Sequence, residues 1–264
     1  MSDTVVEDWA RAYVESTSLA HKLAPPPPPT RWASAPVAVR IASPGRPVEL
    51  VAAPKKRKTP GAEALRDPRR RAELLHVFAH HELQAAEIFL WAILAFPETP
   101  IAFRRGLLHI VRDELRHLTL YRDHLVRLGH DYGSFPVRDW FWERVPGSVR
   151  SAAQLAAMMG VGFEGANLDH TRRFATAFRA AGDEEGARLQ ELVGEEEIPH
   201  VRFALTWMRE LSGSEPDFAR WEEALPPPIT PLVMRGRPLD RAARARAGMD
   251  DAWLDALEAW EPRT

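Results

Sequence analysis

The sequence predicts an all-α protein, a four-helix bundle with a long crossover between helices two and three and extended N- and C-terminal arms. Three observations carry that prediction. Four long segments with apolar residues at steps of three and four each open on a capping residue and close at a glycine or proline. Short links follow the first and third segments, and a long one follows the second. The second and fourth segments hold Glu114-Leu115-Arg116-His117 and Glu197-Ile198-Pro199-His200, so a carboxylate and an imidazole lie one helical turn apart twice over.

The N-terminal arm comes first, and the division expected is an arm over 1–66, a bundle over 67–212 and a second arm over 213–264. Residues 5 to 22 have Val5, Trp9, Ala12 and Tyr13 at helical spacing, and Pro25 to Pro29 stop that helix in polyproline II. From Arg31 to Pro60 the pattern is extended, with short strand-like pieces at 37–39 and 48–51 that do not amount to a sheet. A stretch this long either lies across a core or stays disordered, and its Trp and Val content predicts the former.

Bundle helix one starts with Asp67 as N-cap and Pro68 at the first position, and runs to about Phe96. Helix two uses Thr99-Pro100 in the same way and stops at Gly129. The crossover, His130 to Arg150, carries Tyr132-Gly133 and Trp140-Phe141-Trp142. Helix three spans Ser151 to Gly182, helix four Asp183 to about Leu211, and Pro226-Pro227-Pro228 then leads to a final helix near Asp250 to Trp260.

A chain of 264 residues with 45% hydrophobic and 27% charged residues can bury one sizeable core. Its net charge of −2 does not commit the whole molecule to nucleic acid or membrane. With 0 cysteines it has neither disulfides nor thiolate-bound metal. No signal peptide and no membrane-spanning run is recognisable, so a cytoplasmic location is expected.

Each apolar stripe is interrupted by one glutamate: Glu82, Glu114, Glu164 and Glu197 on helices one to four. Singly, each reads as a solvated residue. Four on core stripes need a shared partner, because a buried unpaired carboxylate costs several kcal/mol. A pair of metal ions is such a partner, held by Glu82, Glu114, His117, Glu164, Glu197 and His200, with Glu87 as an alternative helix-one ligand or as an acid beside the site. Asp113 and Asp169 are candidates to orient the imidazoles. Tyr121 shares the face of Glu114 and either lines a cavity or packs in the core. Pro199 removes the amide donor to the Glu195 carbonyl, which predicts a kink or bulge in helix four. Gly160, Gly162 and Gly165 flank Glu164 and permit close packing, or leave room above the metals.

The stretch His81-Glu82-Leu83-Gln84-Ala85-Ala86-Glu87, the two Glu-x-x-His pairs, Tyr132-Gly133-Ser134-Phe135-Pro136 and Arg235-Gly236-Arg237-Pro238-Leu239 resemble the ferritin-like di-iron carboxylate superfamily. They are similar in particular to an uncharacterised bacterial branch of it, a domain-of-unknown-function family, over most of the chain. The resemblance implies a ferritin-like four-helix bundle with two iron ions, or manganese or a mixed iron–manganese pair, on the six residues named above. It implies no substrate. Pro199, between two of the implied ligands, departs from the pattern.

The function expected is a di-iron oxidoreductase that activates dioxygen or peroxide to oxidise or hydroxylate a small-molecule substrate, with an electron donor as partner. The alternatives are a ferroxidase or iron-handling protein, a tRNA-directed hydroxylase, and a non-catalytic helical module. The basic runs Lys55-Lys56-Arg57-Lys58 and Arg69-Arg70-Arg71 read as solvated arm and helix start, in preference to an RNA contact, because few aromatics interleave with them.

Overall fold

A computed structural model describes residues 4–54 and 60–262. The run Lys55-Lys56-Arg57-Lys58 lies outside the described residues. The chain divides into two compact units, Met1–Gly147 and Ser148–Thr264. Among the described residues the regular structure is helical, and the extended pairing is a parallel bridge between Ala52 and Val137. No helix among them is long and apolar enough to cross a membrane.

In the first unit, helices α1 (Val6–Glu15) and α2 (Leu19–Leu23) open the arm. They replace the single helix expected over 5–22. The two long helices are α3 (Pro68–Ala95) and α4 (Ile101–Arg127), packed along each other. Asp67 caps α3 by accepting from the Arg69 amide at 2.9 Å, with Pro68 in the first turn, as its sequence predicts. The start of α4 differs from expectation. Pro100, not Thr99, is its N-cap, and the Thr99 hydroxyl donates to the Phe96 carbonyl at 2.7 Å. That bond serves the end of α3, whose last carbonyls lack helical donors.

Residues 82–95 of α3 are all buried, so this part of the helix is enclosed on every side and not on one stripe alone. The arm supplies the additional cover. α1 packs on α3, the Val39 amide donates to the Leu94 carbonyl at 2.9 Å, and the Arg40 guanidinium lies over the rings of Trp91 and Phe96. The arm therefore lies across a core, and its backbone partly caps the helix beneath it.

The connection after α4 ends in a single turn, α5 (Val145–Ser148). The second unit continues with α6 (Ala152–Leu155), a π-helical segment Ala156–Glu164, and α7 (Gly165–Ala180), without a break. Ser151 caps the start by accepting from the Gln154 amide. α8 (Glu184–Ser212) is capped by Asp183 and closed by Gly213 in the left-handed region at φ 70°. The C-terminal arm forms α9 (Phe218–Ala224), a 3-10 turn Pro231–Met234, α10 (Arg241–Ala247) and α11 (Asp251–Ala259). Of these, α11 matches the expected final helix.

α8 continues as α-helix through Pro199, with no π bulge there. The π turns end at Glu164 on the other long helix of this unit. The glycines there mark close packing: a Cβ on Gly160 would collide with the Ala204 Cβ of α8, and one on Gly162 would strike the Met234 side chain. The indole of Trp221 donates to the Ala157 carbonyl at 2.9 Å, so the C-terminal arm also serves a carbonyl within this segment. Gly160→Ala should cost about 1–3 kcal/mol in urea unfolding, since Ala204 has no rotamer with which to yield. Gly147→Ala, with open space around it, is the matched control and should change little.

Candidate metal centre

In the first unit, Glu82 of α3 and Glu114 and His117 of α4 come together. One ligand atom of each lies within 4.8 Å of the others, and His117 Nδ1 is 3.6 Å from Glu82 Oε2. Glu114 and His117 are both 0% exposed, and Glu82 is 5%. The local cause is simple. Three residues of α4 turn through about 300°, which places Glu114 and His117 on adjoining sides of one turn, and both lie on its buried side.

In the second unit, Glu164 closes the π segment and is buried. Glu197 and His200 lie one turn apart on the buried side of α8, with His200 Nδ1 2.8 Å from Glu197 Oε2. The Asn167 amide of α7 donates to the other oxygen, Glu197 Oε1, at 3.2 Å. No motif in the sequence marks Asn167. The contact makes it the residue that orients Glu197.

Glu87, the alternative helix-one candidate, is engaged by other partners. Its Oε1 accepts from Lys22 Nζ and from Arg46, each at 2.7 Å, and its Oε2 accepts from Arg46 at 2.7 Å and from the Trp142 indole at 2.8 Å. Both oxygens are thus committed to cations and an indole. Lys22 is 0% exposed, and its ammonium also donates to the carbonyls of Tyr13 and Val14. Burial pushes the Lys22 ammonium below its ordinary range, against the pull of Glu87.

The network continues outward. Arg46 bonds to Asp139, Asp139 lies 3.1 Å from His80 Nε2, and His80 Nδ1 meets the Tyr132 hydroxyl at 2.6 Å. Burial would raise the Asp139 carboxyl, but the hydrogen bonds from His80 and Arg46 prevail and hold it well below the usual carboxylate range. Burial also lowers His80, favouring the neutral ring. The Tyr132-Gly133 motif is accounted for here. Gly133 has φ 108°, and its amide donates to His76 Nε2 at 2.8 Å.

Asp169 has a different task from orienting an imidazole. It accepts from the Gly236 and Asp240 amides at 2.7 Å and pairs with Arg244 at 2.8 Å, so it anchors the C-terminal arm. Asp113 is half-buried on α4. Tyr121 packs its ring 5.5 Å from that of Phe78 and belongs to the core. Lys22, Arg46, Asp139 and Arg244 carried no signal in sequence, since each meets a partner many residues away.

Comparison with known proteins gives a family and no activity. A family profile described as "Protein of unknown function (DUF455)" matches residues 3–255. An uncharacterised protein of Haemophilus influenzae is 27% identical over 148 residues, 53% of this chain. The chain spans about half the length of that relative, 51%. No solved structure matches.

Two measurements follow from this geometry. Glu87→Gln leaves Lys22 without its counter-charge and Arg46 with Asp139 alone, and should cost about 3–5 kcal/mol in urea unfolding. Its metal content per folded chain should equal that of the wild type, whereas Glu82→Gln should lower it. The second concerns His170, which burial and then the charge of Arg173 push down to about 4. Because the folded-state value is depressed, the unfolded chain takes up the proton first. The His170 contribution is complete above pH 6.5, the ordinary value, and is lost as pH falls towards about 4. The stability of His170→Asn should fall less steeply over that interval.

Proposed function

The chain belongs to the DUF455 family of unknown function, and from its buried carboxylates and imidazoles we propose a ferritin-like di-iron oxidoreductase that activates dioxygen or peroxide to oxidise or hydroxylate an organic substrate. The observation that carries this reading is the convergence of Glu82, Glu114 and His117 within 4.8 Å at a buried point. The proposed ligand set joins these three to Glu164, Glu197 and His200. Two helices then give one glutamate each and two give Glu-x-x-His, the ligand pattern of di-iron and di-manganese carboxylate bundles.

The donors suit such metals. All are oxygen or imidazole nitrogen, the sequence has no thiolate to compete, and several carboxylates out of water call for concentrated positive charge. When bound, a pair of iron ions would supply the redox capacity that these side chains lack, and manganese could replace one or both. The protein's own residues do the positioning. Asn167 holds one oxygen of Glu197, and the close pairing of Glu197 with His200 keeps two donors together. Imidazole and carboxylate must be free of the competing proton to bind a cation, so metal uptake should strengthen as pH rises.

Metal analysis after expression with iron supplied tests the reading. The wild type should carry a pair of iron ions per chain, and Glu114→Ala and Glu197→Ala should lose them while keeping their helix content. A wild type that takes up no metal, or variants that keep it, would sink the proposal. Turnover that depends on an added organic substrate, measured against plain ferrous oxidation, then separates an oxidase from an iron-handling protein.

A further inference from the structure

Trp221 of α9 does more than fill the core of the C-terminal arm. It is buried, and its ring centre lies 5.8 Å from that of Trp253 and 5.6 Å from that of Phe218. Packing of that kind requires no hydrogen bond. The Trp253 indole nitrogen, buried in the same cluster, has no hydrogen-bond partner among the described residues. The Trp221 indole instead donates to the Ala157 carbonyl at 2.9 Å, seven residues before Glu164 on the same helix.

Ala157 stands at the start of the π turns, which span Ala156–Glu164. A π turn bonds to the fifth residue and not the fourth, so it takes up an extra residue for which an α-helix has no place. That extra residue can sit at any turn, and moving it along leaves the two ends of the helix where they are. Only the residues it passes change direction, each by about 100°. A downstream move past Glu164 therefore swings this carboxylate away from its present direction.

The C-terminal arm holds this helix on both sides of Glu164. Five residues after it, Asp169 accepts from the Gly236 and Asp240 amides and pairs with Arg244, which fixes regular α-helix there. Between the two anchors, Ala204 of α8 and Met234 of the arm fill the space beside Gly160 and Gly162. The anchors act on different parts of the helix. Asp169 belongs to α7, beyond the π turns, whereas the Trp221 bond reaches a carbonyl inside them. Trp221 is thus the anchor that bears on where the π turns lie.

We propose that Trp221 is a positioning residue for Glu164, resting on the di-iron reading only for the part Glu164 plays as a ligand. By holding the Ala157 carbonyl it keeps the π turns upstream, ending at Glu164, and so sets the direction in which this carboxylate points. Without that bond the extra residue is free to move on towards Asp169. The C-terminal arm then belongs to the metal centre as much as the long helices do, although it supplies none of the proposed ligands.

Crystal structures of the full chain as metal-free W221F and W253F test this, with thermal melting to show that both are folded. W221F removes the donor, and W253F removes an indole that donates to nothing, so the pair separates the bond from the loss of bulk. W221F should have its π turns displaced towards Asp169 and the Glu164 carboxylate turned from its wild-type direction, and W253F should have neither change. A chain with 3-benzothienylalanine at position 221 keeps the bicyclic ring, has sulfur in place of the N–H, and should behave as W221F even if phenylalanine leaves too large a void to fold. π turns that still end at Glu164 without the donor, or an equal displacement in W253F, would overturn the proposal. Iron binding gives a second readout. W221F should bind iron at least about tenfold more weakly than W253F, and adding W221F to Glu164→Ala should cause no further loss. A full further loss in that double variant would also overturn it. A wild type without metal would sink the di-iron reading alone, and the metal-free structures would still decide whether Trp221 directs Glu164.

Discussion

Charge removed from water must be answered within the protein, and this constraint organises both units. Glu87 of α3 and Asp169 of α7 are carboxylates buried to 0% and 2% exposure. Each is compensated by cations or amides from a distant stretch of chain. Lys22 and Arg46 reach Glu87 from the N-terminal arm, and Arg244 reaches Asp169 from the C-terminal arm, where the Gly236 and Asp240 amides add two further bonds. A buried pair of this kind adds little net stability over apolar packing, yet losing one partner is costly. Such pairs therefore fix where the arms dock more than how strongly they hold.

The same constraint distinguishes the two kinds of buried glutamate on α3. Glu87 is fully occupied by Lys22, Arg46 and Trp142. Five residues earlier, Glu82 faces Glu114 and His117, and a second carboxylate with an imidazole is an environment suited to an added cation. One helix thus carries a carboxylate that holds the arm and another that belongs to a set of metal-type donors. Their separation of about 140° around the axis lets both roles coexist without competition.

Backbone irregularity is placed by packing as well. The π turns over Ala156–Glu164 bring Gly160 against Ala204 and Gly162 against Met234, and leave Glu164 at the point where regular α-helix resumes. Pro199, the obvious irregular residue in sequence, lies within a helix that remains continuous. A π turn needs room and a partner for its carbonyls, and Trp221 supplies a donor to one of them. A proline removes one bond and leaves one carbonyl, that of Glu195, without its helical donor.

What the sequence determined by itself is local. Asp67, Ser151, Asp183 and Asp250 set helix starts through bonds to amides two or three residues on, and the two Glu-x-x-His pairs set which side chains share a helix face. These spacings made the long helices legible, together with the grouping of Glu82 with Glu114 and His117. What only tertiary structure decided is which buried acid meets which cation. Lys22 and Arg46 lie 65 and 41 residues from Glu87, and Arg244 lies 75 from Asp169. No periodicity relates positions so far apart, and a lysine next to a polyproline run looks solvated until the chain folds it inward. A hydrogen bond acts over about 3 Å, so the choice between ligand and anchor is made by proximity, which spacing along the chain does not encode.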